Sequence, residues 1–340
     1  MLDKIAEKFR AFAESETRDS SPLYEQLSMA IAEDPEMLTL ASEAQKEQPI
    51  PNMLFAAVHY LLLQSPTSAL AAYYPSMVES TKPREACYPH FLTFCRKHGD
   101  EIKELLKTRR VQTNVIKRCS YLFPSFCRIY NLAQETPLSL IEIGTSVGLN
   151  LLWDYYAYSY DDGKVYGDET STVKIKATIN GEKNPEFLQT CPPIESRIGI
   201  DLNVIDLNDS DQSLWLRALI WPEEKERIKL LAAAKKIFAE KPPQLFTGDA
   251  IDILPDVIGK IPNNTALCIF HTHVANQLSR EAKNELFEMI AKEGTKRDIY
   301  HLYNNVHPTL HLSYYQNGKI HEEPIAKVHG HGKWFEWLAS

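Results

Sequence analysis

The sequence has no long apolar run and no amino-terminal targeting segment. Its most apolar stretch, residues 53–63, is eleven residues long and contains His59, which is too short to span a bilayer. Residues 1–14 carry charges at regular intervals and lack the apolar core of a secretory signal. These absences predict a cytoplasmic protein without a membrane partner.

Diagnostic cysteine spacings and nucleotide-binding motifs are also missing. The six cysteines include no C-x-x-C pair, so the sequence predicts reduced thiols and neither a zinc site nor a disulfide framework. There is no G-x-S-x-G elbow and no Walker A lysine motif, which disfavours hydrolases and nucleotide triphosphatases. A net charge of −8 and a pI near 5.8 argue against a nucleic-acid partner. With membrane and nucleic-acid partners disfavoured, the sequence predicts a small-molecule substrate as the binding partner. It does not predict an oligomeric state.

One stretch, residues 138–153, combines a buried strand, a glycine turn and a helix. Apolar residues between Pro137 and Gly144 predict the strand, and the apolar run after Val147 predicts the helix. Gly144 allows a turn with no side chain between backbone and ligand, and Gly148 lets the helix start lie close to the strand or the ligand. Free N–H groups at such a helix start attract the polar part of a nucleotide-like ligand. An ordinary strand-to-helix turn is the alternative.

The chain before this turn reads as helical throughout. Apolar residues recur at helical spacing in residues 2–13, and a helix that begins near Pro51 is apolar almost all the way round. Further helices are predicted over residues 90–109 and 111–132, the latter interrupted near Pro124. The sequence therefore predicts a helical subdomain over residues 1–135 and an α/β domain over residues 136–340.

The second domain alternates strands with helices. After the turn, a β-rich insertion is predicted at about residues 159–195, with a strand over 173–179 and a hairpin at Asn180-Gly181. Core strands follow at residues 197–201, 244–247, 266–270 and 298–303, with a helix over 279–292 closed by Gly294. A hairpin around Asn317-Gly318 ends the chain. This order predicts a doubly wound, mostly parallel sheet.

Candidate site residues lie where the predicted parallel strands end, because ligands of open α/β sheets bind there. The cofactor-binding candidates are Glu142, Gly144, Thr145, Ser146, Gly148, Asn150, Asp201, Gly248 and Asp249. A carboxylate after the second strand, here Asp201, can accept both ribose hydroxyls of a nucleoside. Asp249, after the third strand, can accept from the adenine amine. Asp201 could instead be a turn or capping residue, with Asp206 competing for its role, and Asp249 could be a helix N-cap.

Two histidines and two amides complete the candidates. His271 is predicted to be a catalytic general base and His273 to contact substrate, while a metal site built on this H-x-H pair lacks a third ligand at a diagnostic spacing. Gln112 and Asn114 are predicted to bind substrate, because a segment just before the first strand can fold back over a cofactor; the alternative is that they stitch the helical subdomain to the sheet. The run His329-Gly330-His331-Gly332 is interpreted as a turn.

An acidic residue two positions before a glycine-rich turn resembles the first motif of class I S-adenosylmethionine-dependent methyltransferases. The whole sequence, moreover, resembles a bacterial family of unknown function with a methyltransferase-like Rossmann domain. Residues 51–62, 110–114, 142–151, 197–203, 215–222 and 248–249 carry this resemblance, which covers nearly the full chain. The family pattern has an acid after the Gln-Thr-Asn triplet where this chain has Val115, so no catalytic role is expected there.

The resemblance implies an S-adenosylmethionine-dependent methyltransferase that acts on a small-molecule acceptor. Residues 270–273 replace the Asn/Asp-Pro-Pro-Tyr motif of amino-group methyltransferases, which favours transfer to oxygen, carbon or a small molecule over methylation of a base or of glutamine. An inactive relative that binds a nucleoside ligand or a protein partner is the second hypothesis. An NAD-dependent oxidoreductase is the third hypothesis. It is disfavoured because Gly144 and Asp201 are 57 residues apart, whereas about 20 residues usually separate the glycine turn from the acidic residue in dinucleotide-binding folds.

Overall fold

The computed structural model describes residues 1–185 and 191–340, which form two compact units. The first unit consists of residues 1–113 and 208–229, and the second of residues 114–207 and 230–340. This division differs from the boundary predicted at residue 135. The chain enters the second unit at residue 114, and the segment 208–229 returns to the first unit, where Trp215 and Ala218 join its apolar core.

Eleven α-helices occur in the described part of the chain. They are α1 (Leu2–Phe12), α2 (Pro22–Ile31), α3 (Pro35–Ala41), α4 (Ile50–Gln64), α5 (Cys87–Lys97), α6 (Gly99–Thr108), α7 (Cys119–Leu132), α8 (Ser210–Ala218), α9 (Lys225–Glu240), α10 (Ala250–Ile258) and α11 (Arg280–Gly294). A π-helical turn spans Ala13–Thr17, and 3-10 helices span Ala69–Tyr73, Arg84–Ala86, Ile116–Arg118 and Leu149–Tyr155.

Helix α4 forms the centre of the first unit, as its all-round apolar pattern predicts. Pro51 occupies the first turn, where its missing N–H costs no hydrogen bond, and every residue from Met53 to Leu62 is buried. Phe55 stacks on Tyr24 of α2 with ring centroids 4.1 Å apart. Glu223, which precedes α9, accepts hydrogen bonds from the Leu23 N–H and the Ser21 hydroxyl, so it complements the start of α2.

The interruption predicted at Pro124 does not occur, because Pro124 lies inside α7. A proline leaves the carbonyl four residues earlier without its helical donor. That carbonyl belongs to Ser120, and it accepts a hydrogen bond of 2.7 Å from the hydroxyl of Tyr160. A tertiary contact thus replaces the missing backbone bond and allows the helix to continue.

Twelve strands occur in the described residues, none of them before Leu138. They are β1 (Leu138–Ile143), β2 (Ala157–Ser159), β3 (Tyr166–Gly167), β4 (Lys174–Lys176), β5 (Thr178–Asn180), β6 (Ile194–Asp201), β7 (Gln244–Thr247), β8 (Ala266–His271), β9 (Ile299–Tyr303), β10 (Leu310–Gln316), β11 (Lys319–Val328) and β12 (Trp334–Trp337). The four core strands predicted after the insertion correspond to β6, β7, β8 and β9.

Nine strands form the main sheet, in the order β5-β12-β11-β10-β9-β8-β1-β6-β7. The five strands from β9 to β7 are parallel, and the β9-β10-β11-β12 pairs are antiparallel. From β1 the chain continues to β6 and β7 on one side and then to β8 and β9 on the other. The sheet is therefore mostly parallel, with its topological switch point between β1 and β8, as expected for a doubly wound order.

No strand follows Asn180-Gly181 within the described residues 181–185, and the rest of the expected hairpin, residues 186–190, lies outside the described part of the chain. The predicted strand over residues 173–179 divides between two sheets. The Ala177 N–H bonds the Ser159 carbonyl beside β2, whereas the next N–H, of Thr178, bonds the Lys333 carbonyl beside β12. Strand β4 thus pairs with β2 in a three-stranded sheet, and β5 runs parallel to β12 in the main sheet. Antiparallel pairing in this region joins β2 and β3 instead.

The terminal hairpin is confirmed. Asn317 and Gly318 have φ values of 51° and 72° and connect the antiparallel strands β10 and β11, as a two-residue type I′ turn requires. Helix α11 ends at Gly294, as predicted, but this glycine is the last residue of the helix and does not adopt a left-handed conformation. A β-carbon there would come 2.2 Å from the ring of Tyr315, so this glycine permits close packing of helix on strand.

Candidate functional site

The turn after β1 adopts left-handed backbone conformations at alternate positions. The φ values are +70° at Gly144, +56° at Ser146 and +77° at Gly148. A serine thus occupies a conformation that favours glycine, and such strained residues cluster at functional sites. The α-helix expected after Val147 is instead the 3-10 helix Leu149–Tyr155, whose geometry includes a kink at Leu152.

Glu142 supports this turn from inside the sheet. Its side chain is 2% exposed, and its two oxygens accept hydrogen bonds from the Thr145 hydroxyl at 2.7 Å and the Asn150 amide at 2.9 Å. Burial raises the pKa of Glu142 to about 8, although the two hydrogen bonds oppose this shift. Glu142, Thr145 and Asn150 are therefore brought together, and the carboxyl group holds the shape of the turn.

The glycines of the turn lie against the protein's own side chains. A β-carbon at Gly144 would come 2.2 Å from a methyl carbon of Val274, which follows β8. One at Gly148 would come 2.9 Å from Pro243 and 3.0 Å from Leu245. Glycine is therefore required at both positions for internal packing, whatever ligand the turn takes.

Asp201 lies at the turn and Asp249 does not contact it. The Asp201 carboxylate accepts hydrogen bonds from the Ser146 N–H at 2.8 Å and from the Asn203 N–H at 2.9 Å. Asp249 accepts from the Ile251 N–H at 2.9 Å and is the N-cap of α10, which is the alternative role considered for it. Gly248 precedes this cap with φ +149° and donates its N–H to the Asp201 carbonyl.

Asn114 reaches the turn from the segment before α7. Its side-chain amide donates to the Thr145 carbonyl at 3.1 Å, while its own amide oxygen is buried without a partner. The hydroxyl of Ser146 is likewise buried and unpartnered. Buried polar atoms normally have a hydrogen-bond partner. The Asn114 oxygen and the Ser146 hydroxyl therefore indicate a place where a hydrogen-bonding group is missing. Gln112 is half-buried and belongs to the first unit.

His273 lies near the turn, in the loop after β8. Its φ is +59°, its N–H donates to the Asn304 side-chain oxygen at 2.7 Å, and its Nε2 atom is buried without a partner. Burial and the positive charge of Arg118 lower the pKa of His273 to about 4. The imidazole is therefore neutral at neutral pH and can donate or accept a hydrogen bond.

His271 lies on the opposite face of the sheet from Glu142. Glu142 pairs with Phe270 in the parallel register, and successive strand residues point to opposite faces. The His271 ring lies 5.1 Å from the ring of His301, centroid to centroid, and burial lowers the pKa of His271 to about 4. Because β8 ends at His271, strand geometry does not give His271 and His273 a shared side-chain direction, and no group of three metal-ligand side chains occurs among the described residues.

Sequence reasoning did not single out Arg118 or the contact made by the loop of residues 329–332. The Nε atom of Arg118 donates to the Gly330 carbonyl at 3.0 Å, and a β-carbon at Gly330 would lie 3.5 Å from the His273 ring. The predicted turn is present, with Gly332 donating its N–H to the His329 carbonyl. No spacing signal joins residues 118, 273 and 330, because only the fold brings these three segments together.

The fold and this edge of the sheet define an α/β protein with a mostly parallel sheet, a helical amino-terminal region and a cluster of polar side chains at the switch point. The chain belongs to a bacterial family described as "Uncharacterized protein conserved in bacteria (DUF2332)", whose profile matches residues 6–337. No curated protein and no solved structure matches the chain significantly. Within the described residues, no helix has the length and apolar character needed to cross a membrane.

Membership of a bacterial family of unknown function is thereby confirmed. The methyltransferase-like character of that family stays a prediction, as do the cofactor and the role of each site residue.

Proposed function

We propose that the second unit binds S-adenosylmethionine at the carboxyl edge of its sheet and transfers the methyl group to a small-molecule acceptor. The observation that carries this proposal is the turn after β1. It lies at the switch point of a doubly wound sheet, where ligands of such sheets bind, and its Ser146 N–H is bonded to the carboxylate that ends β6.

The residues at the turn fit a nucleoside bearing an amino-acid end. Asp201 uses one acceptor site on each oxygen for backbone N–H groups, and each carboxylate oxygen keeps a further lone pair for a ribose hydroxyl. The unpartnered Ser146 hydroxyl and Asn114 oxygen supply a donor and an acceptor at the turn itself. Asp249 is already engaged as a helix cap, so its side chain contributes to adenine recognition only through lone pairs that the cap leaves free.

Methyl transfer requires little acid–base catalysis by the protein. When bound, S-adenosylmethionine supplies a methyl group on a sulfonium; the acceptor atom bonds to that carbon as the carbon–sulfur bond breaks, and the electron pair stays on sulfur. The work of the protein is to orient the two partners and exclude water. A proton lost by an oxygen or carbon acceptor needs a base, and His271, the residue predicted for that role, points to the opposite face of the sheet from Glu142.

Calorimetric titration tests the proposal directly. The wild-type protein should bind S-adenosylmethionine and S-adenosylhomocysteine but not NAD. Asp201→Ala should weaken both adenosyl ligands by about tenfold or more, since a hydrogen bond to a charged group contributes about 1.5–3 kcal/mol.

Asp209→Ala is the matched control. Asp209 makes the same kind of backbone contacts, with the N–H groups of Asp211 and Gln212, but it caps α8 in the other unit. It should leave the affinities unchanged. A wild-type protein that binds neither adenosyl compound refutes the proposed function.

A binding protein without catalytic activity is the second candidate. The packing of Val274 against Gly144 and the capping role of Asp249 favour it, because both groups are committed to internal contacts. Incubation with methyl-labelled S-adenosylmethionine and a small-molecule extract of a bacterium separates the two candidates. Transfer of label supports the enzyme, whereas binding of the homocysteine product with no transfer supports the binding protein.

A further inference from the structure

Arg118 forms no ion pair with an acidic residue in the described part of the second unit. It ends the 3-10 helix Ile116–Arg118, and its one hydrogen bond in the described structure runs from Nε to the Gly330 carbonyl. Arg118 is half-buried, and partial desolvation lowers the pKa of its guanidinium. A buried guanidinium normally has an anionic partner, because desolvation of an unpaired charge is costly.

Glu142 is the one carboxyl group among the charges that act on Arg118, and it forms no ion pair with Arg118 in the described structure. The positive charge of Arg118 favours the ionised form of Glu142, yet burial still raises the pKa of that carboxyl to about 8. Burial therefore favours the neutral, protonated form of Glu142, which is a poor partner for the guanidinium. The terminal nitrogens of Arg118 are left with no anion among the described residues.

Other unpartnered polar atoms belong to the same part of the unit. The positive charge of Arg118 lowers the pKa of His273, whose ring lies against Gly330. The Nε2 atom of His273 is buried and has no hydrogen-bond partner. Asn114, four residues before Arg118, bonds the turn and has a buried amide oxygen with no partner. The segment before α7, the turn after β1 and the loop after β8 each contribute one buried polar atom without a partner, from Asn114, Ser146 and His273, which indicates a missing polar ligand.

We infer that Arg118 and His273 bind the carboxylate group of the ligand taken at the turn after β1. The identity of that ligand rests on the proposed function. With Nε engaged by Gly330, the two terminal nitrogens present the fork that matches a carboxylate with two parallel hydrogen bonds. A single cation beside a protonated carboxyl balances one negative charge, which suits a carboxylate better than a phosphate dianion.

A carboxylate at this site has two sources. One is the amino-acid end of S-adenosylmethionine, and the other is a carboxylate carried by the methyl acceptor. S-adenosylhomocysteine has the amino-acid carboxylate and 5′-methylthioadenosine lacks it, so a comparison of these two compounds isolates the first source. Benzoate, added to protein saturated with S-adenosylhomocysteine, probes the second.

The experiment compares the wild-type protein with Arg118→Gln and Arg118→Lys. Affinities for the two adenosyl compounds come from calorimetry, and contact with benzoate comes from saturation-transfer NMR on the free protein and on the protein saturated with S-adenosylhomocysteine. Arg128→Gln is the control, because Arg128 lies in α7 but pairs with Glu323. Thermal melting establishes that each variant is folded, and Arg118→Lys keeps the charge if the glutamine variant is not.

If the cofactor supplies the carboxylate, the wild-type protein prefers S-adenosylhomocysteine to 5′-methylthioadenosine, and Arg118→Gln lowers this preference by about tenfold, the equivalent of one charged hydrogen bond. If the acceptor supplies it, the preference stays and the benzoate signal on the saturated protein is lost. Arg118→Lys should lie between wild type and glutamine in either case, and Arg128→Gln should match the wild type.

Failure of the proposed function has a different signature. A wild-type protein that binds no adenosyl compound but loses its benzoate signal in Arg118→Gln retains the carboxylate site without the methyltransferase. The inference is overturned if Arg118→Gln and Arg118→Lys bind all three probes as the wild type does, or if the wild type binds none of them.

Discussion

Glu142 connects the sheet to the turn through two hydrogen bonds in a dry environment. Thr145 and Asn150 donate to its two oxygens, and removal from water raises the pKa of the carboxyl to about 8. An ordinary glutamate titrates near 4.3 in an unfolded chain. Between about pH 5 and pH 8 the folded protein therefore binds a proton at Glu142 that the unfolded protein has released.

This difference in proton binding predicts how Glu142→Gln changes the pH dependence of stability. Because the folded state binds the extra proton, Glu142 makes the free energy of unfolding of the wild type fall as pH rises through this window. The amide stays neutral, so the variant lacks this loss. Urea unfolding at pH 5, 6, 7 and 8 should show the variant gaining stability relative to wild type with each step.

Glu195→Gln is the control for this measurement, since Glu195 is an exposed residue of β6. Its stability curve should run parallel to that of the wild type. The other titrating groups are common to all three proteins and cancel in the comparison. Parallel curves for Glu142→Gln and wild type would contradict a protonated Glu142.

At the scale of the element, α7 shows how one tertiary contact replaces a lost backbone bond. Pro124 removes the N–H that would bond the Ser120 carbonyl, and the Tyr160 hydroxyl bonds it instead. Helical periodicity predicted the helix, whereas Pro124 predicted an interruption in it. The compensating tyrosine lies 40 residues from Ser120 in the chain, beyond the reach of local sequence rules.

A double-mutant cycle tests this compensation. Tyr160→Phe should cost about 1–3 kcal/mol of unfolding free energy, because it leaves the buried Ser120 carbonyl without a donor. In a Pro124→Ala background the alanine N–H supplies the helical bond, so the same tyrosine substitution should cost less. Denaturant unfolding of the four proteins gives the coupling energy.

Tyr166→Phe provides the comparison, because its hydroxyl bonds the exposed Asp162 carboxylate at 2.6 Å. Its cost should stay well below that of Tyr160→Phe and be independent of residue 124. An equal cost of Tyr160→Phe with proline and with alanine at position 124 would rule out the proposed compensation.

At the scale of the whole molecule, the chain crosses between its two units three times. It leaves the first unit after Thr113, returns to it at Asn208 and leaves again after Lys229. Trp215, on α8, is buried in the core of the first unit, and its ring N–H donates to the Arg110 carbonyl at 2.9 Å. Trp153 is fully buried in the second unit.

Two tryptophan substitutions should therefore affect different parts of the chain. Trp215→Ala and Trp153→Ala each remove a large buried side chain, which costs about 3–5 kcal/mol. Hydrogen exchange followed by mass spectrometry should show faster exchange in α4 for Trp215→Ala. For Trp153→Ala, exchange should increase in β1 and α7 instead.

The two variants serve as controls for each other, since the same residue type is removed from each unit. The assignment of residues 208–229 to the first unit fails if Trp215→Ala accelerates exchange in β1 and α7 as much as in α4.

Elements whose signal is local were predictable from the sequence. The apolar pattern of α4, the parallel core strands and the Asn317-Gly318 hairpin all follow from residues near one another in the chain, where periodicity and turn chemistry operate. The glycine turn was recognisable for the same reason. The left-handed conformation of Ser146 was not, because a serine adopts it only when the surrounding structure imposes it.

Which residues make up the candidate site could be identified only from the tertiary structure. Sequence placed Asp201 and Asn114 at strand and segment ends, and the structure brings both to the turn. It places His271 on the other face because one residue in a strand reverses the side-chain direction. Arg118 carries no motif, and only the path of the loop through Gly330 puts it beside His273.

By itself the sequence determined the α/β class, the family and the position of the turn, since burial patterns, glycines and strand order are written in neighbouring residues. Only the tertiary structure decided which side chains share one face of the sheet and which buried polar atoms lack a partner. Those features depend on contacts between residues far apart in the chain, such as positions 118 and 330, whose proximity no local pattern encodes.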